Sequence, residues 1–198
     1  MDRLERVRDI RLASSAAPTR KAADTPFQFF SSPQTDLPYL CVPEVSSGNR
    51  IYIPFGFKDN RTIASNKLMI VPDASIYHFG VLQSLLHMAW VRVVCGRMKS
   101  DYSYSAAIVY NNFPWPSPTD EQREKIEITA QSILDTRELF PESTLAELYN
   151  PLTMPIELRK AHRANDAAVL EAYGFPKDAS ESEIVARLFK MYQELISK

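Results

Sequence analysis

One segment of twenty residues constrains the fold more than any other part of the sequence. Residues 76–95 form the longest apolar stretch of the chain, and apolar side chains would lie almost all round a helix drawn through them. The polar exceptions form a single stripe at Gln83, Ser84 and His87. Asp73 or Ser75 can cap the start of this helix, and Gly96 can end it. A helix of this kind is usually buried, so we predict that it lies in the middle of its domain.

Short strand-like runs broken by proline, glycine and asparagine precede this helix. Residues 37–45 and 50–57 flank Ser-Ser-Gly-Asn at residues 46–49, which predicts a β-hairpin with a four-residue loop. Residues 67–72 predict a further strand. Because proline removes a hydrogen-bond donor, we expect strand ends or sheet edges at three positions: Pro43, Pro54 and Pro72.

A regular alternation of side chains follows the helix. Residues 98–110 predict one extended strand with two distinct faces. The first face carries Tyr102, Tyr104, Ala106, Ile108 and Tyr110. The opposite face carries Lys99, Asp101, Ser103 and Ser105. The next eight residues, 111–118, are too rich in proline to continue any regular element.

Helices dominate the two ends of the chain. Residues 1–14 are compatible with a helix, and residues 14–26, rich in serine, alanine, proline and threonine, predict a linker. From residue 119 onward the pattern is helical, with a shorter helix over residues 144–149. Two capping boxes and a proline mark helix starts: Thr119 with Gln122, Ser180 with Glu183, and Pro155.

The predicted fold class is α+β, in which a mixed β-sheet domain with a buried central helix is followed by a small C-terminal helical bundle. We expect an N-terminal helix and linker over residues 1–36, the sheet-bearing domain over 37–118 and the helical region over 119–198. Residues 38–118 hold seven basic and four acidic side chains, whereas residues 119–198 hold ten basic and fifteen acidic ones. This asymmetry permits a middle segment that faces nucleic acid but does not demonstrate one.

Composition excludes several classes of protein. No apolar run approaches the roughly 18 residues of a membrane span, and the charged start MDRLERVRDIRLASS is unlike a secretory signal. Two distant cysteines, Cys41 and Cys95, make neither a disulfide framework nor a zinc site. We therefore expect a cytoplasmic protein with no membrane partner. The charged, coreless beginning also suggests a fragment of a longer chain.

The sequence contains no recognisable self-sufficient active site. None of its five glycines is spaced as G-x-G, and Asn112-Phe113-Pro114-Trp115 lacks the paired prolines of a methyltransferase Asn-Pro-Pro-Tyr motif. A magnesium-dependent nuclease site needs an aspartate followed by a Glu-x-Lys motif, which is missing downstream of Asp73. Asp73 is therefore better explained as a helix cap. The three histidines, His78, His87 and His162, lack the spacing of metal ligands. Of these, His87 is expected to be a core histidine.

Three segments carry a family resemblance: VPEVSSGNRIYIPFGF, SDYSYSAAIVYNNFPWP and LYNPLTMPIELRKAH. Over residues 38–198 the sequence resembles the MmeI-like single-chain restriction-modification enzymes of type IIG/IIL. The resemblance implies that this region is a target-recognition domain with trailing helices, preceded by a nuclease and an adenine-N6 methyltransferase domain. It also implies double-stranded DNA and the chain's own methyltransferase domain as partners. S-adenosylmethionine is then expected in the missing catalytic domain, and no cofactor in this fragment.

Lys99 and Asp101 are the foremost candidates for reading a base pair. In relatives the identity of a charged pair at this place correlates with one recognised base pair. The resemblance therefore implies that Lys-x-Asp reads guanine. On an extended segment their spacing would point both side chains to one face. Lysine can donate to guanine O6 or N7, and aspartate can accept from cytosine N4. The alternative is an exposed cross-strand ion pair that adds little to stability.

Other polar residues join these candidates. Further base readers are expected at Asn49, Arg50 and Ser103. Contacts to phosphates are expected from Lys58, Arg61, Lys67 and Arg97, for which solvated surface charge is the alternative. Three more residues at the predicted hairpin are candidate readers: Glu44, Ser46 and Ser47.

Two other functions stay open at this level. One is a protein-interaction or scaffolding domain that docks through its acidic helical tail, which predicts no affinity for DNA. The other is a stand-alone enzyme with an unfamiliar site, against which the lack of any convergent acid/base or metal cluster argues. The acidic tail itself is expected to pack on the recognition domain or close against the DNA backbone, and to make a poor primary DNA surface.

Overall fold

The computed structural model describes residues 2–29 and 35–197, which fall into two units, residues 1–34 and 35–198. In the first unit, helix α1 (Arg3–Leu12) is followed by α2 (Ala17–Lys21) and a 3-10 turn over Ala22–Asp24. The predicted first helix is therefore confirmed. Residues 14–26, predicted to be a linker or a surface excursion, contain the short helix α2 and the 3-10 turn. Residues 30–34 of the predicted N-terminal segment lie outside the described residues.

The guanidinium of Arg11 holds the first unit together. It donates to the carbonyl oxygens of Ala22, Thr25 and Gln28 at 2.7, 2.9 and 2.6 Å. No residue of α1 is buried. Since hydrogen bonds from one charged group replace an apolar core here, the sequence indicated the first helix but not the contacts that fold the following residues against it.

The second unit contains two small antiparallel sheets. In the first sheet, β1 (Tyr39–Pro43) lies between β3 (Gly56–Lys58) and β4 (Leu68–Pro72). In the second sheet, β6 (Asp101–Ser103) lies between β2 (Val45–Ser46) and β5 (Gly96–Met98). The strand predicted over residues 67–72 is confirmed as β4. Pro43 and Pro72 end β1 and β4, as expected of residues that lack an amide donor.

The four-residue loop predicted at residues 46–49 is wrong, although the two flanking segments do pair antiparallel, as β1 with β3. Residues 50–55 form no strand, and β2 pairs with β6 more than fifty positions away. The backbone amide of Arg50 closes a local turn on the carbonyl of Ser47 at 3.2 Å. Three side chains that follow are instead buried in the core: Tyr52, Ile53 and Phe55.

The central apolar segment is buried, as predicted, but it is two helices. Helix α3 (Ile76–Leu82) ends where the side chain of Gln83 donates to the Ile53 carbonyl at 2.7 Å. Helix α4 (Leu85–Val94) then begins at Ser84, whose hydroxyl accepts the His87 amide. The start of α3 is capped by Ser75, one of the two predicted candidates. Gly96 does not cap the end of α4 but begins β5, because Cys95 already has extended geometry.

The long strand predicted over residues 98–110 is wrong. The chain reverses at Lys99 and Ser100 between β5 and β6. It then forms a π-helical turn over Ala106–Tyr110, where the Ser105 hydroxyl accepts the Ile108 amide. Tyr102 and Tyr104 are buried as expected, whereas Ile108 is 52% exposed.

Four helices complete the chain and confirm the predicted helical region: α5 (Asp120–Glu138), α6 (Leu145–Leu148), α7 (Ile156–Ala172) and α8 (Glu181–Ile196). Both capping boxes form as predicted, while Pro155 is the N-cap of α7 and precedes its first helical residue. The α+β fold class is confirmed. Among the described residues, no helix is long and apolar enough to cross a membrane.

One hydrophobic core joins the sheet-bearing part to the helical part of this unit. Leu40 of β1, Phe79 of α3, Ile126 of α5 and Val169 of α7 belong to the same buried cluster. Polar groups reinforce this junction, because the Arg137 guanidinium on α5 donates to the Phe55 carbonyl at 2.7 Å. The core is therefore continuous across residues 118 and 119.

Candidate nucleic-acid interface

The turn between β5 and β6 places Lys99 at an exposed hairpin tip. Met98 pairs with Asp101, so Lys99 and Ser100 make the turn alone. Lys99 is exposed and has a φ of 57°, a value that tight hairpin turns require but that side chains other than glycine rarely adopt. The extended geometry predicted for Lys99 and Asp101 is therefore wrong, because the chain turns between them.

The loop that follows β2, on the edge of the second sheet opposite β5, lies against this hairpin tip. The backbone amide of Gly48 donates to Asp101 Oδ1 at 3.1 Å. A Cβ atom at position 48 would lie 2.3 Å from the Ser100 carbonyl oxygen, so only glycine fits this approach. The loop over residues 46–50 and the hairpin tip therefore form one surface, which we call the reading surface.

Two arginines stiffen the reading surface. The Arg97 guanidinium stacks 4.1 Å from the centre of the Tyr102 ring and donates to the Ser100 carbonyl at 3.3 Å. The Arg50 guanidinium donates to the buried hydroxyl of Ser46 at 3.2 Å. Both bonds use one nitrogen of a group with five N–H donors, so each arginine keeps donors for a ligand.

The structure brings together six of the nine predicted contact residues. One of them, Ser103, lies on β6 and pairs with both Val45 and Gly96 across the second sheet. The six residues are Asn49, Arg50, Arg97, Lys99, Asp101 and Ser103. Within the described part of the chain, no ion pair joins Lys99 to Asp101.

The three remaining basic candidates belong to the first sheet. Lys58 ends β3, Arg61 lies in the loop after it, and Lys67 precedes β4. Arg61 is paired with Asp59 at 3.2 Å, although its side chain is 89% exposed. Arg50 connects these residues to the reading surface, because it lines a largely apolar cleft of about 260 Å³ together with Lys58.

Three other candidate readers have mainly structural contacts. Glu44 joins the two sheets through its backbone, accepting the Tyr104 amide at 2.7 Å and donating to the Lys67 carbonyl at 3.0 Å. Ser46 is buried under Arg50, and the carbonyl of Ser47 closes the turn to the same arginine. Of the three, only Ser47 lines a cleft beside the reading surface.

The buried histidines belong to the core and not to a metal site. Burial lowers the pKa of His87 to about 3, and its Nε2 lies 3.0 Å from the Tyr104 hydroxyl. His162 has its pKa lowered to about 3 mainly by burial, with the neighbouring Arg137 charge adding to the effect. Over residues 2–29 and 35–197 there is no group of three metal-ligating side chains.

Two protein-family models match this chain. Residues 1–117 match the family model described as the MmeI target recognition domain, and residues 118–198 match the MmeI C-terminal domain. The chain belongs to the MmeI family.

Two relatives of this chain give the comparison more detail. A protein named DNA methyltransferase A from Bacillus subtilis (strain 168) is 45% identical over 180 residues, which is 91% of this chain and 20% of that protein. A solved structure of the type IIL restriction-modification enzyme MmeI in complex with DNA matches with a TM-score of 0.93 and 46% identity. That match covers 98% of this chain and 26% of the other. The chain thus spans a fifth to a quarter of the length of these MmeI-family proteins.

Sequence reasoning missed two parts of this surface. The requirement for glycine at position 48 comes from Ser100, and only a glycine between two polar residues marks it in the sequence. The segment Asn150–Leu152 was assigned to the helical tail, yet it lines a cleft with Ser47, Asn49 and Arg50. The NPL motif that could have indicated this segment lies within one of the family-resembling stretches.

Proposed function

We propose that this chain reads the base sequence of double-stranded DNA for a larger adenine-N6 methyltransferase of the restriction-modification type. The observation that carries the proposal is the hydrogen-bonded reading surface, on which an exposed lysine and a positioned aspartate project from a two-stranded hairpin. The polar tip of this hairpin can approach the DNA major groove, where each base pair has a distinct pattern of donors and acceptors.

Lys99 and Asp101 supply the donor and the acceptor that a G·C pair needs. The Lys99 ammonium group has three donors for guanine O6 and N7. Asp101 uses Oδ1 to hold Gly48, which leaves Oδ2 available to accept from cytosine N4. Since Oδ1 is fixed to the backbone, the carboxylate pays little conformational entropy when it meets a base.

The remaining candidates suit supporting contacts. In this proposal Asn49, Arg50 and Ser103 contact neighbouring bases, and Arg97 contacts the adjoining backbone. The exposed cations of the first sheet, Lys58, Arg61 and Lys67, would hold phosphates and fix the register of the duplex. Such contacts make binding strongly dependent on salt.

The chemistry of methyl transfer would come from the rest of the parent chain. A base must be flipped out of the duplex to be methylated, so the catalytic pocket has little access to the flanking base pairs and a separate surface must read them. We therefore expect the chain's own methyltransferase domain as its partner, with S-adenosylmethionine bound there. Because its substrate would be cellular DNA, we also propose a cytoplasmic location.

The test uses the full-length enzyme in a host without DNA methylation. Modified adenines are mapped for the wild type and for a variant with Lys99→Ala and Asp101→Ala together. We expect one position of the methylated motif to lose its preference while the others persist. The matched control replaces Lys125 and Glu171 by alanine, an exposed pair joined at 2.6 Å on α5 and α7.

An unchanged motif in the double variant would remove the base-reading role from this pair. If the folded wild type methylates no DNA at all, the DNA-reading function fails, and a protein-interaction domain becomes the better explanation. A motif that changes equally in the control variant would point to a general effect on the fold.

A further inference from the structure

Leu152 is the most exposed large apolar side chain among the described residues, at 91%. It is nevertheless presented by a rigid turn. The Leu152 amide donates to the Asn150 side chain at 3.0 Å, and the Met154 amide donates to the Asn150 carbonyl at 2.9 Å. Arg159 of α7 donates to the Pro151 carbonyl at 3.3 Å. An apolar side chain held in one position in water gains free energy when an apolar group covers it.

The turn over residues 150–154 lies beside the reading surface. Asn150, Pro151 and Leu152 form one wall of a cleft of about 450 Å³, and the loop residues Ser47, Asn49 and Arg50 form the opposite wall. The other side of the same loop contacts the hairpin tip through Gly48. Hairpin tip, loop and cleft are therefore continuous.

Charge also favours DNA as the occupant of this cleft. The helical region is acidic as a whole, with fifteen acidic and ten basic side chains over residues 119–198. The sequence of the turn, Asn-Pro-Leu-Thr-Met, carries no charge, and Arg50 contributes the positive charge of the facing wall. The helical region thus meets the reading surface at this cleft without an acidic lining residue.

We propose that the turn over residues 150–154 is a second DNA-reading element, in which Leu152 contacts the C5 methyl group of a thymine in the major groove. This inference rests on the proposed function. The thymine methyl is the apolar feature of the major-groove edges, and an apolar side chain is the group that reads it. The helical region then takes part in specificity alongside the sheet-bearing part.

The test compares thymine with uracil, which pairs identically but lacks the methyl group. Methyl transfer by the full-length enzyme is measured at subsaturating DNA, on duplexes in which each thymine of the mapped motif is replaced by uracil in turn. The wild type is expected to slow about fourfold at one thymine, the effect of losing one buried methyl group. The L152A variant should be slower on the thymine duplex and insensitive to that same uracil.

A matched control is L139A, which removes an equally large side chain that is 67% exposed and lines neither cleft. It should retain the wild-type response to uracil, and thermal unfolding should show both variants folded. The inference is overturned if the wild type is insensitive to uracil at every position, or if L152A keeps the wild-type sensitivity. If the wild type is insensitive to uracil and L152A is equally slow on every duplex, the inference is also overturned. Leu152 would then act by inserting between stacked bases instead of contacting a methyl group.

The two proposals fail separately. If the Lys99 and Asp101 double variant changes the motif while the uracil series is flat, only the role of Leu152 falls. If uracil sensitivity depends on Leu152 while the double variant leaves the motif unchanged, DNA reading stands and its base-reading residues move to the cleft.

Discussion

Gly48 and Asp101, 53 positions apart, are joined by a hydrogen bond of 3.1 Å from the glycine amide to the aspartate carboxylate. The aspartate proposed to read a base is thus also the residue that holds the neighbouring loop. Changing it alters two elements at once, so a variant of Asp101 alone mixes recognition with loop position. Gly48 separates the two effects, because it has no side chain of its own to offer DNA.

Replacing Gly48 by alanine should displace the loop from the hairpin tip. The new Cβ would lie 2.3 Å from the backbone oxygen of Ser100, and backbone cannot move aside as a flexible side chain can. We expect methylation by the parent enzyme to fall about 100-fold, as for other small misplacements of positioning groups. The stability of the fold should fall by only about 1–3 kcal/mol.

The control for that variant is Gly56→Ala in β3. A Cβ there would meet the Leu145 side chain at 3.7 Å, an ordinary contact distance. Methylation rates and melting temperatures of both variants distinguish the outcomes. Equal activity of Gly48→Ala and wild type would show that the loop and the hairpin tip do not act together.

Arg137 is expected to be the most costly polar residue to remove between the sheets and the helices. Its guanidinium donates to the Phe55 carbonyl at 2.7 Å, to Gln83 Oε1 at 3.1 Å and to the Tyr149 hydroxyl. Arg137→Ala removes this donor from the Phe55 carbonyl and one bond each from Gln83 and Tyr149, which keep the Phe55 amide and His162 as partners. We expect a loss of about 2–4 kcal/mol in urea unfolding. Lys125→Ala, which breaks an exposed ion pair, should cost less than about 1 kcal/mol. Similar losses for the two variants would refute a bridging role for Arg137.

The features predicted well from the sequence depend on neighbouring residues. The capping boxes at Thr119 and Ser180 need only a partner three residues on, and both form. Burial of residues 76–95 follows from their apolar character. The break in that segment was not predictable, because Gln83 ends α3 by bonding to Ile53 and Phe55, about thirty positions away.

The site was harder to derive than the fold. Alternation over residues 98–110 indicated one continuous strand. This prediction failed because nothing in the sequence indicates the positive φ at which the chain turns at Lys99. Six of the residues predicted as contacts nevertheless lie together, because the family resemblance and the charge pattern that indicated them do not depend on the register. The turn at Leu152 was overlooked because the net acidity of residues 119–198 hid its local neutrality.

Close packing of α3 on α5 makes Gly80 a second glycine that resists substitution. A Cβ at this position would lie 2.7 Å from Ile126 Cγ2 and 2.9 Å from the Ala130 Cβ. Alanine favours a helix by about 1 kcal/mol over glycine, but overpacking a core costs about 1–3 kcal/mol. We therefore expect Gly80→Ala to lower the free energy of unfolding. In a double-mutant cycle with Ile126→Ala, which makes room for the new methyl group, the two losses of unfolding free energy should be less than additive. Full additivity would show that α3 and α5 can move apart without cost.

Buried titratable groups should make stability depend on pH in two opposing ways. The pKa of His87 and of His162 is lowered to about 3 in the folded protein, chiefly by burial. Their stabilising contribution is complete above the unfolded pKa of about 6.5 and is lost as the pH falls toward 3. Burial raises the pKa of Asp166 to about 6, against the hydrogen bonds from Tyr52 and Leu85. Its contribution is complete below about 3.8 and is lost as the pH rises to 6.

Between pH 4.5 and 6 the unfolded chain therefore binds two protons at these histidines, and the folded chain binds one at Asp166. These three groups alone should raise the free energy of unfolding by about 1.4 kcal/mol per pH unit in this window. Burial also lowers the pKa of His78, which adds to the rise. Asp166→Asn removes the opposing proton, so its slope should be about twice as steep. Urea unfolding at several pH values measures both slopes, with Asp178→Asn, an exposed change before α8, as the control. A slope unchanged by Asp166→Asn would show that Asp166 is ionised in the folded protein throughout this range.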